Sequence, residues 1–379
     1  MAIKKSQIYS TLWNSCDALR GSMDASQYKD YVLMILFIKY LSDKESDEDS
    51  IFTIPDGCRF SDFVLLKGDD HIGEQINKKL EAIKEANAMF LNRLALPNFN
   101  DPSKLGKPKE MRETLSNLIA AFESEDLDFS KNRTADDDIL GDAYEYLMKN
   151  FAAESGKSKG QFYTPAEVSR VMAKMLHLTE FTSPSTTIYD PTCGSGSLLL
   201  RAIGETPNGA TPYGQEKDNS TASLAILNML LHGVDTATIE QGDTINSPEF
   251  TEGGQLKTFD VCVANPPFST KSWLGAAGKD DTVYHRWTAE LCPPDKCGDY
   301  AFLLHLIASM KPGTGRGACI LPHGVLFRGN AEYEIRKHII RQGWIEGIVG
   351  LPANIFFGTG IPASIILINK QGAADRKGI

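Results

Sequence analysis

No stretch of this sequence is apolar for long enough to cross a membrane. The most apolar run, residues 31–40, contains Lys39 and falls well short of the ~20 residues a span requires, so it reads as a buried helix. The opening residues Met1-Ala2-Ile3-Lys4-Lys5-Ser6-Gln7 lack the apolar core of a secretory signal. Cysteine is sparse: seven residues in 379 form no disulfide framework. Cys193 and Cys262 fall on or beside expected strands, where a reduced thiol acts as a small apolar group. Cys292 and Cys297 make one close pair, with no second Cys or His pair at zinc spacing, so no metal is expected. An excess of positive charge is missing too, because 39 Lys and Arg face 49 Asp and Glu, a net charge of −10. Nucleic-acid binders usually carry a basic face. If this chain handles nucleic acid, its basic residues cluster at a cleft or another chain supplies most of the affinity. Internal repeats and low-complexity tracts are also absent. What remains is a chain with an ordinary globular balance, long enough for two or three domains. A cytoplasmic, intracellular enzyme fits these limits.

Two regions separate along the chain, residues 1–153 and 154–379. The first is helical throughout. Ile8, Leu12, Trp13, Cys16 and Leu19 make one apolar face, and Val32, Leu33, Leu36, Phe37 and Tyr40 another. The spacing predicts a long amphipathic helix over 72–96. Thr134 and the acids Asp136, Asp137 and Asp138 precede Ile139, Leu140, Ala143, Tyr144 and Leu147, a helix start marked by negative charge. No catalytic constellation occurs in this region, so its stripes read as core, with partner contact as the lesser alternative. A small basic linker, residues 155–160, marks the boundary. From Gln161 onward strands and helices alternate, which implies a largely parallel sheet with right-handed crossovers.

The chemistry concentrates at four places in that second region. Asn265-Pro266-Pro267-Phe268 follows the apolar run Phe259-Asp260-Val261-Cys262-Val263-Ala264, which reads as a buried strand. The two prolines donate no hydrogen bond and hold φ fixed, so the chain leaves the sheet there in a rigid turn. The Asn265 side-chain oxygen and the Pro266 carbonyl are then two fixed acceptors, suited to a ligand with two amino hydrogens. Phe268 supplies a flat face for a ring. Upstream, a short β-rich run over 185–189 ends in Asp190-Pro191-Thr192-Cys193-Gly194-Ser195-Gly196 and leads into a helix, the opening unit of a nucleotide-binding sheet. Leu199 replaces the third glycine of the dinucleotide fingerprint. An acid at the loop entrance with no lysine suits a cationic, phosphate-free ligand better than a pyrophosphate, and S-adenosylmethionine is such a ligand. Next, the strand over 211–216 ends in Glu216, placed to accept both ribose hydroxyls. The strand over 237–244 carries Asp243 at its carboxyl end, placed to accept from an adenine amino group.

In this order the motifs resemble the γ-order adenine-N6 DNA methyltransferases, and more narrowly the modification (M) subunit of type I restriction–modification systems. The segment Gly160-Gln161-Phe162-Tyr163-Thr164-Pro165 completes the set. In that family it precedes the glycine loop and helps hold the methionine end of the donor. The resemblance implies a Rossmann-like S-adenosylmethionine-dependent methyltransferase domain, an α/β fold with a mostly parallel sheet and helices on both faces, preceded by an all-α N-terminal domain. It implies site-specific, adenine-specific DNA methylation. The implied partners are double-stranded DNA with a flipped adenine, a sequence-specificity subunit, a restriction (motor and nuclease) subunit and a second copy of this chain. Family members continue into a helical C-terminal segment, whereas this chain stops at Ile379.

The expected mechanism is methyl transfer to adenine N6. Hydrogen bonds from N6 to Asn265 Oδ1 and the Pro266 carbonyl would make the nitrogen more tetrahedral, with Phe268 stacked on the extruded base. Two other readings stand beside it. Protein glutamine N5-methyltransferases also carry an Asn-Pro-Pro-aromatic turn. A donor-binding but non-catalytic assembly scaffold is the second. Residues 269–296 lack periodicity and interleave Lys271, Trp273, Lys279, His285, Arg286 and Trp287, which suggests a DNA contact or a lid. His285 reads as a surface residue.

Overall fold

The computed structural model of the chain describes residues 5–16, 25–45, 50–124, 127, 139–154, 163–356 and 359–379. The expectations for Leu19, for the acids at 136–138, for the linker at 155–160 and for Gln161 and Phe162 lie outside these residues. Two compact units are formed. One comprises Met1–Gly160 with Ile226–Asp235, and the other Gln161–Ala225 with Thr236–Ile379.

The first unit is helical: α1 (Lys5–Ser15), α2 (Ala25–Lys44), α3 (Phe60–Val64), α4 (Ile72–Ala86), α5 (Ala88–Leu91), α6 (Pro102–Leu105), α7 (Pro108–Ala121) and α8 (Ile139–Glu154). The apolar run in α2 is buried on every side, as a helix without a polar face must be. Lys39 survives there because its ammonium reaches Asp43 one turn on, at 2.6 Å, and lies 5.6 Å from the centre of the Phe60 ring. The single long helix expected over 72–96 is instead α4 and α5, broken at Asn87. The buried Asn87 amide accepts from Thr53 N at 2.8 Å and donates to the Thr53 and Ile83 carbonyls at 2.8 and 2.7 Å. A side chain that binds a distant backbone in this way competes with the helix's own bonds. Periodicity cannot register a partner 34 positions away.

The second unit carries a seven-stranded sheet. Its strands are β1 (Thr187–Asp190), β2 (Thr211–Glu216), β3 (Thr238–Gln241), β6 (Val261–Ala264), β7 (Arg316–Pro322), β8 (Ile345–Gly350) and β9 (Ala363–Asn369). The two-residue strands β4 (Thr251–Glu252) and β5 (Gln255–Leu256) form a separate hairpin. The sheet order is β3-β2-β1-β6-β7-β9-β8. All pairings from β3 to β7 are parallel, whereas β9 runs antiparallel to both neighbours. The sequence led us to expect a largely parallel sheet, and β9 is the exception in it. Helices α9 (Ala166–Met175), α10 (Ser197–Gly204), α11 (Asn219–Leu231, shared with the first unit), α12 (Asp299–Ala308) and α13 (Ala331–Arg341) flank the strands. Every residue of β6 is buried, so its run of four apolar side chains is that of a central strand. On the core side of β1, Tyr189 stacks on Phe259 with ring centres 4.5 Å apart.

The order reverses at β1. From there the chain builds outward through β2 and β3, then returns to lay β6 on the other side of β1. Such a reversal opens a crevice beyond the carboxyl ends of the two central strands, where α/β sheets bind ligands. The loop after Asp190 and the turn after Ala264 are the segments that border it.

Candidate active site

The loop leaving β1 tightens at two glycines. Gly194 and Gly196 have φ of 55° and 80°, left-handed values that a side chain would strain. Gly196 is also the N-cap of α10. Asp190 is buried, and its Oδ1 accepts from Thr192 N at 2.9 Å. Burial pushes its carboxyl up to about 8, against the lowering pull of the Thr192 hydrogen bonds, and repulsion from Glu216 adds to the rise. Glu216, at the end of β2, accepts from Gly194 N at 3.1 Å on one oxygen and Asp218 N at 2.9 Å on the other. Its pKa is raised, first by burial, with those backbone donors opposing and Asp218 adding repulsion. A carboxylate offers about four acceptor positions. Two of those on Glu216 are taken, which leaves room for two ligand hydroxyls.

Asp243 is built differently. Its Oδ1 accepts from Ile245 N and Asn246 N at 3.0 and 3.1 Å, closing the turn after β3. Its Oδ2 meets Lys217 Nζ at 2.7 Å. Burial pushes its pKa upward, but the bonds from Lys217 and Asn246 outweigh it and the net shift is downward. Lys217 itself is an exposed cation between the ends of β2 and β3, and nothing in the sequence had singled it out.

At the carboxyl end of β6 the Asn265 amide is oriented by a bond from Nδ2 to Thr164 Oγ1, 3.1 Å long. Among the described residues neither Asn265 Oδ1 nor the Pro266 carbonyl has a protein donor. Pro266 is buried, Pro267 exposed and Phe268 half-buried. The ring of Phe356, from the segment after β8, meets Phe268 edge-on with centres 5.7 Å apart and planes at 87°. Phe356 was missed; its one sequence signal is an aromatic pair inside a turn-rich stretch between two strands. Of the pre-loop segment, Tyr163 and Pro165 are buried and Thr164 is half-buried. Ser195 is buried, with its hydroxyl 3.2 Å from that of Ser197.

The loop over 269–296, read from sequence as a DNA contact or a lid, divides its cations and aromatics between core and surface. Trp273, Arg286 and Trp287 are buried, and the two indoles meet edge-on at 5.4 Å; Lys271, Lys279 and His285 remain exposed. Arg286 makes a 2.5 Å ion pair with the buried Asp281. It donates to the carbonyls of Thr244 and Ile245 at 3.4 and 2.9 Å, bracing the turn that carries Asp243. It also reaches His305 Nδ1 at 3.3 Å. Burial and the Arg286 charge hold His305 well below its usual pKa, hence neutral. A guanidinium only donates, so Nδ1 is the acceptor and the proton sits on Nε2, facing the Tyr189 hydroxyl at 3.1 Å. The loop is therefore tied into the core beside the turn that carries Asp243. Its spacing hid this, because a non-periodic segment shows neither its buried face nor its ion pair.

The fold is methyltransferase-like, and the turn after β6 presents two acceptors without a protein donor among the described residues. Comparison with known proteins gives the family. Residues 135–379 match the N-6 DNA Methylase family, and residues 8–122 match the HsdM N-terminal domain. The chain belongs to the N-6 DNA methylase family. It is 32% identical to a type I restriction–modification system methyltransferase subunit from Streptococcus thermophilus of known crystal structure, with a TM-score of 0.83 over 97% of this chain and 85% of that one. It is 31% identical to a type I restriction enzyme methylase subunit of Methanocaldococcus jannaschii, over 99% of this chain and 67% of the relative. A putative class I S-adenosylmethionine-dependent methyltransferase from Listeria monocytogenes, 20% identical over 82% of this chain and 88% of that one, shares the fold with a TM-score of 0.50. No helix of the described residues is long and apolar enough to cross a membrane.

Proposed function

We propose that this chain transfers a methyl group from S-adenosylmethionine to N6 of adenine in DNA, as the modification subunit of a type I restriction–modification system. The observation that carries the reading is the pair of undonated acceptors, Asn265 Oδ1 and the Pro266 carbonyl, at the point where the strand order reverses. An amino group needs two acceptors, and the turn supplies two that cannot pair with each other. The donor fits the opposite side of the crevice. Among the described residues Asp190 and Glu216 have no cation partner, and burial raises both their pKa values. A ligand with an ammonium and a sulfonium suits them, where a phosphate would be repelled. S-adenosylmethionine, when bound, supplies the electrophilic methyl group.

In this reading Glu216 holds the ribose hydroxyls and Asp243 the adenine end. Tyr163, Thr164 and Pro165 would help the glycine loop hold the methionine end, as would Gln161 and Phe162 of the same motif. Asn265 and Pro266 take the two N6 hydrogens of the target base and draw its lone pair out of conjugation. Pro267 keeps the turn rigid, and Phe268 stacks on the base. The proton shed from N6 after methyl transfer passes to water, so no strong base is required. The target adenine must leave the duplex to reach this depth.

A net charge of −10 fits a chain that meets DNA within an assembly. The partners are a sequence-specificity subunit, a restriction subunit and a second copy of this chain, in the cytoplasm. The glutamine-methyltransferase and scaffold readings find no support over this one in the family match.

The deciding experiment is Asn265→Ala in the complete assembly. Removing one preorganised polar group from such a site lowers the rate by roughly 10²–10³-fold. Single-turnover DNA methylation should fall by that order while S-adenosylmethionine affinity, read by calorimetry, holds. Methylation at the parent rate would refute the amino-methyltransferase reading.

A further inference from the structure

We infer that Arg328 and Asp299 form a clamp that positions the exit of the Asn265–Phe268 turn, and so the aromatic face that receives the base. This rests on the reading above and adds two positioning residues to it. Ser269, directly after Phe268, has a left-handed φ of 53°, a conformation that a non-glycine residue keeps only when its surroundings impose it. The imposing group is Asp299, at the start of α12. Its carboxylate is fully buried, and its Oδ1 accepts from Ser269 N at 2.7 Å. The other oxygen is held by Arg328 Nη2 at 2.6 Å and by the Cys297 thiol at 3.1 Å. Arg328 also grips Glu332, buried in the first turn of α13, through Nε and, at 3.0 Å, Nη2.

Two buried carboxylates thus share one guanidinium. The surplus negative charge is eased because both acids lie in the first turns of helices, where the backbone dipole favours them. Cys297, Asp299 and Glu332 bring three ligand-type atoms within 4.8 Å of one another. Arg328 bonds to both carboxylates of that group, so the geometry reads as an ion-pair centre rather than a metal site. The Arg328 backbone is pinned in turn by Arg336 Nη1, which donates to the Val325 and Arg328 carbonyls at 2.9 and 3.1 Å. Constraint therefore runs from α13 through Arg328 and Asp299 to the Ser269 amide, and ends one residue from the ring that stacks on the base. None of these groups contacts the reacting atoms.

A clamp of this kind should affect base capture and leave donor binding alone. Arg328→Gln, Arg328→Lys and Asp299→Asn would be assayed in the complete assembly, on the duplex the parent methylates, beside Asn265→Ala. Donor affinity is measured by calorimetry, methylation by single turnover, and base extrusion by 2-aminopurine fluorescence at the target position. Arg328→Gln and Asp299→Asn should lower methylation roughly 10- to 100-fold, the scale at which misplacement away from the chemistry acts. Extrusion should weaken and donor affinity stay within about twofold of the parent. Arg328→Lys, which keeps one charged contact, should recover most of the extrusion signal. If Arg328→Gln does not fold, Asp299→Asn decides, since it keeps an acceptor for Ser269 N. Parent-like methylation and extrusion in a folded Asp299→Asn or Arg328→Gln assembly would overturn the clamp, as would a rate loss matched by lost donor affinity. The underlying reading fails separately, through an active Asn265→Ala.

Discussion

Asp190 and Asp299 are both buried carboxylates in the same α/β unit, yet the fold treats them in opposite ways. Asp299 is held by a backbone amide, a guanidinium and a thiol. Among the described residues Asp190 receives only the amide and hydroxyl of Thr192 and no cation, and burial first, then the like charge on Glu216, drives its pKa up. A buried acid given its partners belongs to the scaffold. One denied a cation raises the free energy of the empty protein and is retained where a ligand will supply the charge. With Asp190 in the proposed donor site, the contrast sets a supporting acid against a binding one without reference to motif, and it can be attacked from either side.

The largest effect should come from the scaffold side. Arg286→Met leaves the Asp281 carboxylate buried without its cation and releases the Thr244 and Ile245 carbonyls. Breaking a buried pair by removing one partner costs on the order of 3–5 kcal/mol. Denaturant unfolding of the purified chain should show a loss of that size. A loss below about 1 kcal/mol would mean that Arg286 is not the brace described.

Asp190→Asn probes the other side and should split stability from function. The folded pKa of about 8 lies above the ~3.9 of an unfolded Asp. The contribution of this group to stability is therefore fully present below about pH 4 and is lost as pH rises toward 8. The Asn variant avoids that loss, so its melting temperature relative to the parent should climb over the same window. Its S-adenosylmethionine affinity should collapse. In the parent, a cationic donor binds best to the ionised carboxylate, so affinity should rise with pH through about 8 and that dependence should vanish in Asp190→Asn. A variant that is no more stable than the parent at pH 8 would sink the contrast.

Much of this was legible before any coordinates. The strands at 211–216 and 363–369, and the helix ending at Leu231, follow from β-rich runs and helical spacing bounded by turn residues. The candidate site was legible where backbone chemistry fixes its geometry: prolines at a strand end, glycines after one, acids at successive strand ends. The unread parts depend on long-range pairing. Asn87 breaks a helix by binding Thr53, Asp281 and Arg286 bury a loop that looks polar, and Phe356 meets Phe268 from 88 positions along the chain. Local pattern carries no trace of such partners.

Glu216 lies between the two extremes, since backbone amides hold it but, among the described residues, no cation does. Glu216→Ala should weaken S-adenosylmethionine binding by about 1.5–3 kcal/mol, the range for charge-assisted hydrogen bonds, with the fold intact. Unchanged affinity by calorimetry would remove Glu216 from the donor site.

Lys217→Ala gives the smallest expected effect and the finest test. The Lys217–Asp243 pair joins an exposed ammonium, 76% accessible, to a carboxylate 28% accessible. Exposed pairs contribute between about 0 and 1 kcal/mol, so unfolding should barely change. Asp243 would lose the largest of the hydrogen bonds that offset its burial, keeping those from Asn246, and its pKa should rise from its lowered position. Asp243 Oδ2, which would keep only the 3.3 Å bond from Asn246 Nδ2, would gain an acceptor position for an incoming amino group. If Asp243 serves the donor's adenine, affinity in Lys217→Ala should hold or rise slightly, most clearly at low salt, where the competing pair is strongest. A marked fall in affinity would instead place Lys217 among the ligand's own contacts and leave Asp243 as a turn residue, satisfied like Asp299 and on the scaffold side of the comparison.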